Sequence, residues 1–448
     1  MRARGAAACD VAIVGAGVAG LAAMRVLEER GLRTRVVEAR DRIGGRIHTV
    51  RDPRLAHPVE LGAEFIHGSA PELEEIVRDA RLLAYAVEGQ RWRVRGGRLT
   101  RLHDFWTQLH GVMRYLRAEG PDRSFADFLD DAPGGRRAAD ARVLARTFVE
   151  GFHGADARRI SARALATGGS PSEDAGEQRM MRVASGYDSV PEWLALGFGD
   201  RIMTDAVVER IEWEEGGVEL SMRHRGDARV TTLHARAAIV TVPLGVLLAP
   251  HGEPGAIEFS PALTVLAETR NRLAMGSAVR IVLLFRERWW AEPPRTAPRG
   301  AALDSLSFLQ GDSGDLPVWW SLHPAHLPVL VGWAGGPAAL RLAGLGPTEL
   351  RDRAVAALAA NLGVARRRVA SRVEAWWTHD WQRDPFSRGA YSYPLVGGAE
   401  WAARLARPVH RTLWLAGEAA DPDGRNGTVH GAIGSGRRAA RSVARALA

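Results

Sequence analysis

The 448-residue chain contains one cysteine, Cys9, and no lysine. A single thiol excludes an intramolecular disulfide and any cysteine-cluster metal site. All 60 basic residues are therefore arginine, and neither a lysine Schiff base nor a lysine general base can take part in the chemistry. Long apolar runs are also missing. Ala237–Val242 and Ile281–Phe285 fall far short of the roughly 20 residues a membrane-spanning helix needs. The N-terminal stretch MRARGAAACD leads almost directly into a strand-like segment, with no room for a signal peptide, so the cytoplasm is the expected location. Tyrosine is scarce, and two of the five fall in one segment, SRGAYSYP.

What is present is ordinary globular material. Hydrophobic residues at 46% and charged residues at 25% support cores for two or three domains. The net charge of +8 raises the question of an acidic partner. The arginines are interspersed with acids, however, and the only triple run is Arg366–Arg368, which reads as a solvated surface. No nucleic-acid partner is expected.

Residues 10–38 form one unit: strand DVAIVG, a helix-periodic stretch ending at Gly31, and strand RTRVVE. This βαβ pattern predicts a parallel sheet covered on both faces. Residues 71–165 read as mostly helical. Residues 206–242 alternate and read as an antiparallel meander. PVWWSLHP, PVLVGWAGG and TLWLAGE read as strands, residues 347–361 and 428–447 as helices, and 291–300 as an exposed loop.

Gly15, Gly17 and Gly20 form G-x-G-x-x-G between the first strand and helix. Glycines there permit a tight turn and close approach of a pyrophosphate to the positive helix end. Glu38 ends the second strand, where an acid holds ribose hydroxyls, favouring FAD or NAD over NADP. The segment after Glu38, EARDRIGGR, resembles the continuation of this motif in flavin-containing amine oxidases, with Arg40, Gly44, Gly45 and Arg46 matching. The resemblance extends along the chain through LGAEFIHG (61–68), RVASGYDSVPEWLA (182–195), AAIVTVPLGVL, DWQRDPFSRGAYSYP and LWLAGEAADPDGRNGTVHGAIGSGRRAA. Ser185 departs from the family pattern, replacing the first of two paired glycines.

The resemblance implies an α/β fold. A Rossmann-like FAD-binding domain with a doubly wound parallel sheet (8–75, 182–255, 405–448) is intertwined with an α+β substrate domain (76–181, 256–404). It implies FAD held by the glycine motif, by Glu38, Arg40, Gly45 and Arg46, by the flavin-edge loop Gly62, Ala63 and Glu64, by backbone near Val207, and by Gly417 and Glu418. Thr428 and Val429 would lie at the flavin ring, where a helix starting at 428 would aim its positive end. Ala390 stands where monoamine oxidases carry a flavin-bonding cysteine, so noncovalent FAD is expected.

For the chemistry, the resemblance implies hydride transfer from the α-carbon of a neutral amine, hydrolysis of the imine, and reoxidation by dioxygen to hydrogen peroxide. Tyr391 would wall the substrate amine beside the flavin, with Thr428 at the second wall position and Trp381 packed nearby. Tyr393 should point away, because alternate strand residues face opposite sides. His67 matches a histidine of many polyamine oxidases and leans the substrate toward a polyamine or secondary amine. Asp127, Asp130, Asp131, Glu173 and Asp174 are acids of the substrate domain that distal ammonium groups would need. His323 and His326 read as structural.

Arg280, in GSAVRIVLLF, occupies the position of the family lysine that holds a water beside the reactive flavin nitrogen and is thought to assist dioxygen. Arginine keeps charge there but presents a fixed fork rather than a compact ammonium, so slow reoxidation by air is expected. An L-amino-acid oxidase or flavin dehydrogenase using another electron acceptor, and a non-catalytic FAD-binding protein, remain open alternatives on this fold.

Overall fold

The computed structural model describes residues 8–134, 138–168, 179–227, 229–292, 302–312 and 314–448. The first strand, Cys9–Val14, is apolar on both faces because both are covered. Val11 and Ile13 enter one core with helices Val18–Glu28 and Val429–Leu447. Ala12 and Val14 enter the opposite core with Val208, Ile211 and Leu220. Strand Thr34–Val37 pairs parallel to Cys9–Val14, with Val11 opposite Thr34, which completes the expected βαβ unit.

The eight-stranded sheet runs Ile202–Met203, Thr34–Val37, Cys9–Val14, Val230–Val240, Gly217–His224, Ala206–Glu214, Glu258–Ser260, with Leu413–Leu415 also on Val230–Val240. Val230–Val240 serves two partners. Its N-terminal half is antiparallel to Gly217–His224, from Val230 opposite Arg223 to Ala235 opposite Val218. Its C-terminal half is parallel to Cys9–Val14 and to Leu413–Leu415. The meander read from alternation is thus fused edge-on to the parallel sheet. Glu258–Ser260 belongs to this sheet although it lies just past the expected boundary at 255. The first and last helices pack closely: a Cβ on Gly436 would lie 2.1 Å from the Ala19 carbonyl oxygen.

The second sheet orders Val373–Thr378, Ala278–Phe285, Val329–Gly335, Val318–Ser321, Leu306–Gln310, Gln90–Arg95, Arg98–Arg101. The last two strands correct the mostly helical reading of 71–165. QRWRVR and RLTR alternate and turn at Gly96 and Gly97, both with positive φ. Helices do occupy Pro71–Asp79, Phe105–Met113, Phe125–Asp131, Ala139–His153 and Ala162–Thr167. One face of this sheet packs on helix Pro347–Leu362 through Leu283, Leu309, Trp319 and Leu330. The other face carries Arg280, Trp320, Trp333, Phe308 and Arg91 toward a cavity. Residues 293–300 of the expected loop lie outside the described residues. No helix among the described residues is long and apolar enough to cross a membrane.

Candidate functional site

One continuous cavity, about 410 Å³, runs from the glycine turn to the second sheet. At its first end the backbone is built for an anion. Gly15, at φ +102°, turns the chain against Thr241, and Gly17 starts the helix with no side-chain cap and no acid in the first turn. No side chain therefore competes with a diphosphate for this helix end. A Cβ on Gly17 would meet nothing within 4 Å, so the space beside it is open. Gly20 is different: it is not on the cavity wall. A Cβ there would lie 2.0 Å from the Gly15 carbonyl oxygen, so Gly20 permits helix–strand contact rather than touching a cofactor.

Glu38 lies on the wall, buried, and accepts from Ala16 N at 2.8 Å and Arg40 N at 2.9 Å. Arg40 is clamped by Asp384 at 2.8 Å and by Ser387. Gly45, Val207, Gly417 and Val429 also line the cavity. A glycine turn at a free helix end, a carboxylate after the second strand and an elongated cavity together fit a dinucleotide such as FAD.

In the middle, Glu418 is buried and faces the cavity, but its oxygens are already engaged. They accept from Arg46 at 2.9 Å, Ser392 Oγ at 2.6 Å and Gly427 N at 2.8 Å. Burial pushes this carboxyl up, but Arg46 and the hydrogen bonds prevail and hold it below its usual range. Glu418 therefore ties Arg46, the Ser392 strand and the Gly427 turn together. Arg46 also donates to Ala390 O at 2.8 Å. Thr428 caps helix Val429–Leu447: its Oγ1 accepts from Gly431 N at 3.0 Å and donates to Arg425 O at 2.7 Å. Its wall position and its capping role thus coincide, and the positive helix end points at the cavity.

The loop of residues 61–64 is held from behind. A Cβ on Gly62 would lie 1.9 Å from Arg46 O, and Trp381 Nε1 donates to Leu61 O at 2.9 Å. Ala63 lines the cavity beside it. Glu64 does not stand free for a cofactor. It is fully buried and shared by Arg182 Nε at 2.5 Å, Arg280 Nη2 and Trp320 Nε1 at 3.1 Å. Burial raises its pKa, and the two guanidiniums overcome that and lower it. Arg280 is 4% exposed, on the cavity wall, with Nη1 donating to Gly62 O at 2.9 Å. Arg182, which anchors this triad, came from no chemical reading of its segment. Three charges converge here from a loop and two strands distant in sequence.

Tyr391 lines the cavity, and Tyr393 is buried in the helical core instead, as strand alternation predicts. Burial pushes the Tyr391 hydroxyl well above its ordinary range, so it stays protonated. His67 also lines the cavity, between Phe65 and Phe152 with ring centroids 5.6 and 5.1 Å away. Burial lowers its pKa to about 4, so it is neutral at physiological pH. His323 and His326 lie off the cavity, against each other and Arg288. Asp127, Asp130 and Asp131 are exposed and do not line it. Glu173 and Asp174 lie outside the described residues. The sequence pointed to little of the aromatic cavity wall: Phe65, Phe148, Phe152, Trp320 and Trp333. Their alternation within strands and helices is ordinary core patterning, so no local signal separates them.

The chain matches the family model described as flavin containing amine oxidoreductase over residues 18–444. It is 28% identical to polyamine oxidase 4 of Oryza sativa subsp. japonica, covering 96% of this chain and 88% of that protein. It is 23% identical to amine oxidase [flavin-containing] B of Homo sapiens, covering 98% and 86%. Among solved structures, wild-type putrescine oxidase bound to putrescine aligns with TM-score 0.78 at 22% identity, covering 97% of this chain and 98% of that one. Cyclohexylamine oxidase from Brevibacterium oxydans IH-35A aligns with TM-score 0.76 at 23% identity, covering 98% and 99%.

Proposed function

The chain belongs to the flavin containing amine oxidoreductase family, and we propose that it oxidises a small amine at the aromatic end of its cavity. The observation that carries this is the cavity's continuity: dinucleotide-holding elements and the Tyr391 wall line one space. FAD bound there supplies the acceptor for a hydride from the amine α-carbon, with dioxygen or another acceptor restoring it. Gly15, Gly17, Glu38, Arg40, Gly45 and Val207 hold its nucleotide end, and Gly417, Thr428 and Val429 hold its ring end. Glu418, Arg46 and Trp381 position the segments around it.

Noncovalent attachment is supported by Ala390 on the wall and by Cys9, the only thiol, lying in the sheet core. The near-absence of cysteine suits a reducing compartment, in keeping with the cytoplasm. The two large sheets support a division into a discontinuous cofactor domain and a substrate domain, with Glu258–Ser260 on the cofactor side.

For the substrate, Tyr391, Phe65, Trp320 and Trp333 make a wall that confines an amine and attracts its cation. Tyr391 and His67 are uncharged at neutral pH and neither repel nor pair with it. The carboxylates lining the cavity among the described residues are Glu38, Glu64 and Glu418, each already engaged. Distal ammonium groups of a polyamine would find no free carboxylate among them. Of the polyamine and secondary-amine readings, we favour an amine with one reacting nitrogen and an apolar body.

The test is anaerobic mixing of the flavin-loaded protein with spermine, N-acetylspermine, tyramine, an N-alkylated monoamine and L-amino acids. Bleaching of the yellow absorbance by the monoamines is expected, followed by peroxide on admitting air. Bleaching by no amine overturns the proposal, and bleaching by L-amino acids alone replaces it with the amino-acid oxidase reading.

A further inference from the structure

The substrate-side cavity face is a sheet surface, so cross-strand register orders its side chains. Two rows cross it. One row runs Arg280, Trp333, Val318, Gln310, and the next runs Trp320, Phe308, Arg91. Arg280 marks the cofactor end. Four strand spacings of about 4.8 Å separate its strand from that of Arg91, placing the two backbones roughly 19 Å apart. Arg91 thus stands at the far end of the aromatic surface.

Its environment is unusual for a cation. The guanidinium lies over Phe308, Phe105 and Trp106, with Cζ 4.8, 5.0 and 5.3 Å from the ring centroids. Among the described residues it makes no ion pair and no side-chain hydrogen bond, so three rings hold the plane while its N–H donors stay unused. By contrast Arg280, at the cofactor end of the cavity face, is paired with a carboxylate. Arg91 lines both the cavity and an adjoining outer cleft, sharing Leu102, Phe105 and Trp106 between them. That cleft also carries Arg101 and His103. Its one acid, Asp104, is exposed and accepts from Gln108 Nε2 at 2.8 Å. Burial lowers the pKa of Arg91 to about 10, which leaves it charged at neutral pH.

A cation fixed by rings, with open donors and no carboxylate, is a receptor for a planar anion. We propose that Arg91 binds a carboxylate at the end of the substrate remote from its amine, making the preferred substrate an elongated ω-amino acid-like amine. An α-amino acid is not what this geometry selects, because its carboxylate would sit beside the reacting carbon, at the Arg280 end. The proposal rests on the amine-oxidase reading and names the substrate class of that same site.

The experiment compares octylamine, 8-aminooctanoate, 1,8-diaminooctane and 2-aminooctanoate as reductants of the flavin-loaded protein, in wild type, Arg91→Gln and Arg91→Glu. We expect 8-aminooctanoate to have the lowest KM. Arg91→Gln should raise that KM about tenfold or more, as loss of a charge-assisted pair implies, with kcat and the octylamine KM unchanged. Arg91→Glu should shift preference to the diamine. A wild-type preference for the diamine or for 2-aminooctanoate, or an 8-aminooctanoate KM indifferent to Arg91, overturns the proposal. Octanoate, which has no amine, separates the two failures. Arg91-dependent quenching of tryptophan fluorescence by octanoate supports the anion site even if no amine reduces the flavin. Absence of that quenching removes the site even if amines do.

Discussion

Arg280 and Glu64 form an ion pair with both side chains at most 5% exposed, on the wall of the cavity. Arg182 holds the other oxygen of the same carboxylate, so one acid balances two guanidiniums. Charges so deeply buried persist only when paired. Glu64→Gln leaves two buried arginines without a counter-charge and should cost about 3–5 kcal/mol of stability. Chemical denaturation of the apoprotein measures it, and a loss below about 1 kcal/mol, the range of an exposed pair, would refute the assignment.

The same pair bears on reoxidation. The Arg280 fork is committed to Glu64 and to Gly62 O, so it presents a fixed charge rather than a compact, rotatable one. In stopped-flow experiments, reduction by substrate should outpace reoxidation by air. Arg280→Lys should speed reoxidation about tenfold, because an ammonium is compact and rotatable where the fork is fixed. Fast peroxide formation that Arg280→Met leaves unchanged would show that this side chain plays no part.

Glu60 supplies a pH dependence. It is buried, accepts from Tyr187 N at 2.8 Å and Thr49 Oγ1 at 2.7 Å, and burial raises its pKa from 4.5 to about 7. A carboxyl raised on folding favours the protonated native state. Its stabilisation is complete below pH 4.5 and is lost as pH rises through 7. Glu60→Gln should therefore flatten the fall of Tm between those values and melt above wild type at pH 8. An equal offset at every pH would contradict this.

Gly17 and Gly20 separate binding from folding. Gly17→Ala meets no protein atom, so apoprotein stability should fall by no more than about 1 kcal/mol, the cost of alanine at a helix N-cap. FAD affinity should nevertheless fall sharply, because the new methyl enters the space of the diphosphate. Gly20→Ala drives a Cβ to 2.0 Å from a backbone oxygen and should cost about 1–3 kcal/mol or more before any cofactor binds. Calorimetry of apoprotein beside flavin content after reconstitution tells the two apart. A Gly17→Ala protein that binds FAD normally would remove the diphosphate from that turn.

The amino-acid sequence by itself determined the parts whose physics is local. The βαβ unit was legible in Cys9–Val37, since apolar strands, a glycine turn and a 3.6-residue period lie in one short stretch. Thr428 at the start of the last helix and the opposite facing of Tyr391 and Tyr393 were legible for the same reason. The strands at 90–101 carried their alternation and a glycine turn as well, but the helical periodicity on either side masked them. Only the tertiary structure decided which charges meet. Arg182, Glu64 and Arg280 are neighbours because a loop, a short strand and a sheet converge, and Arg91 faces the cavity because register with Phe308 places it there. With 60 arginines in the chain, residue type could not distinguish the buried, paired and open ones. Burial and partnership arise from contacts between distant segments, and those contacts exist only once the chain has folded.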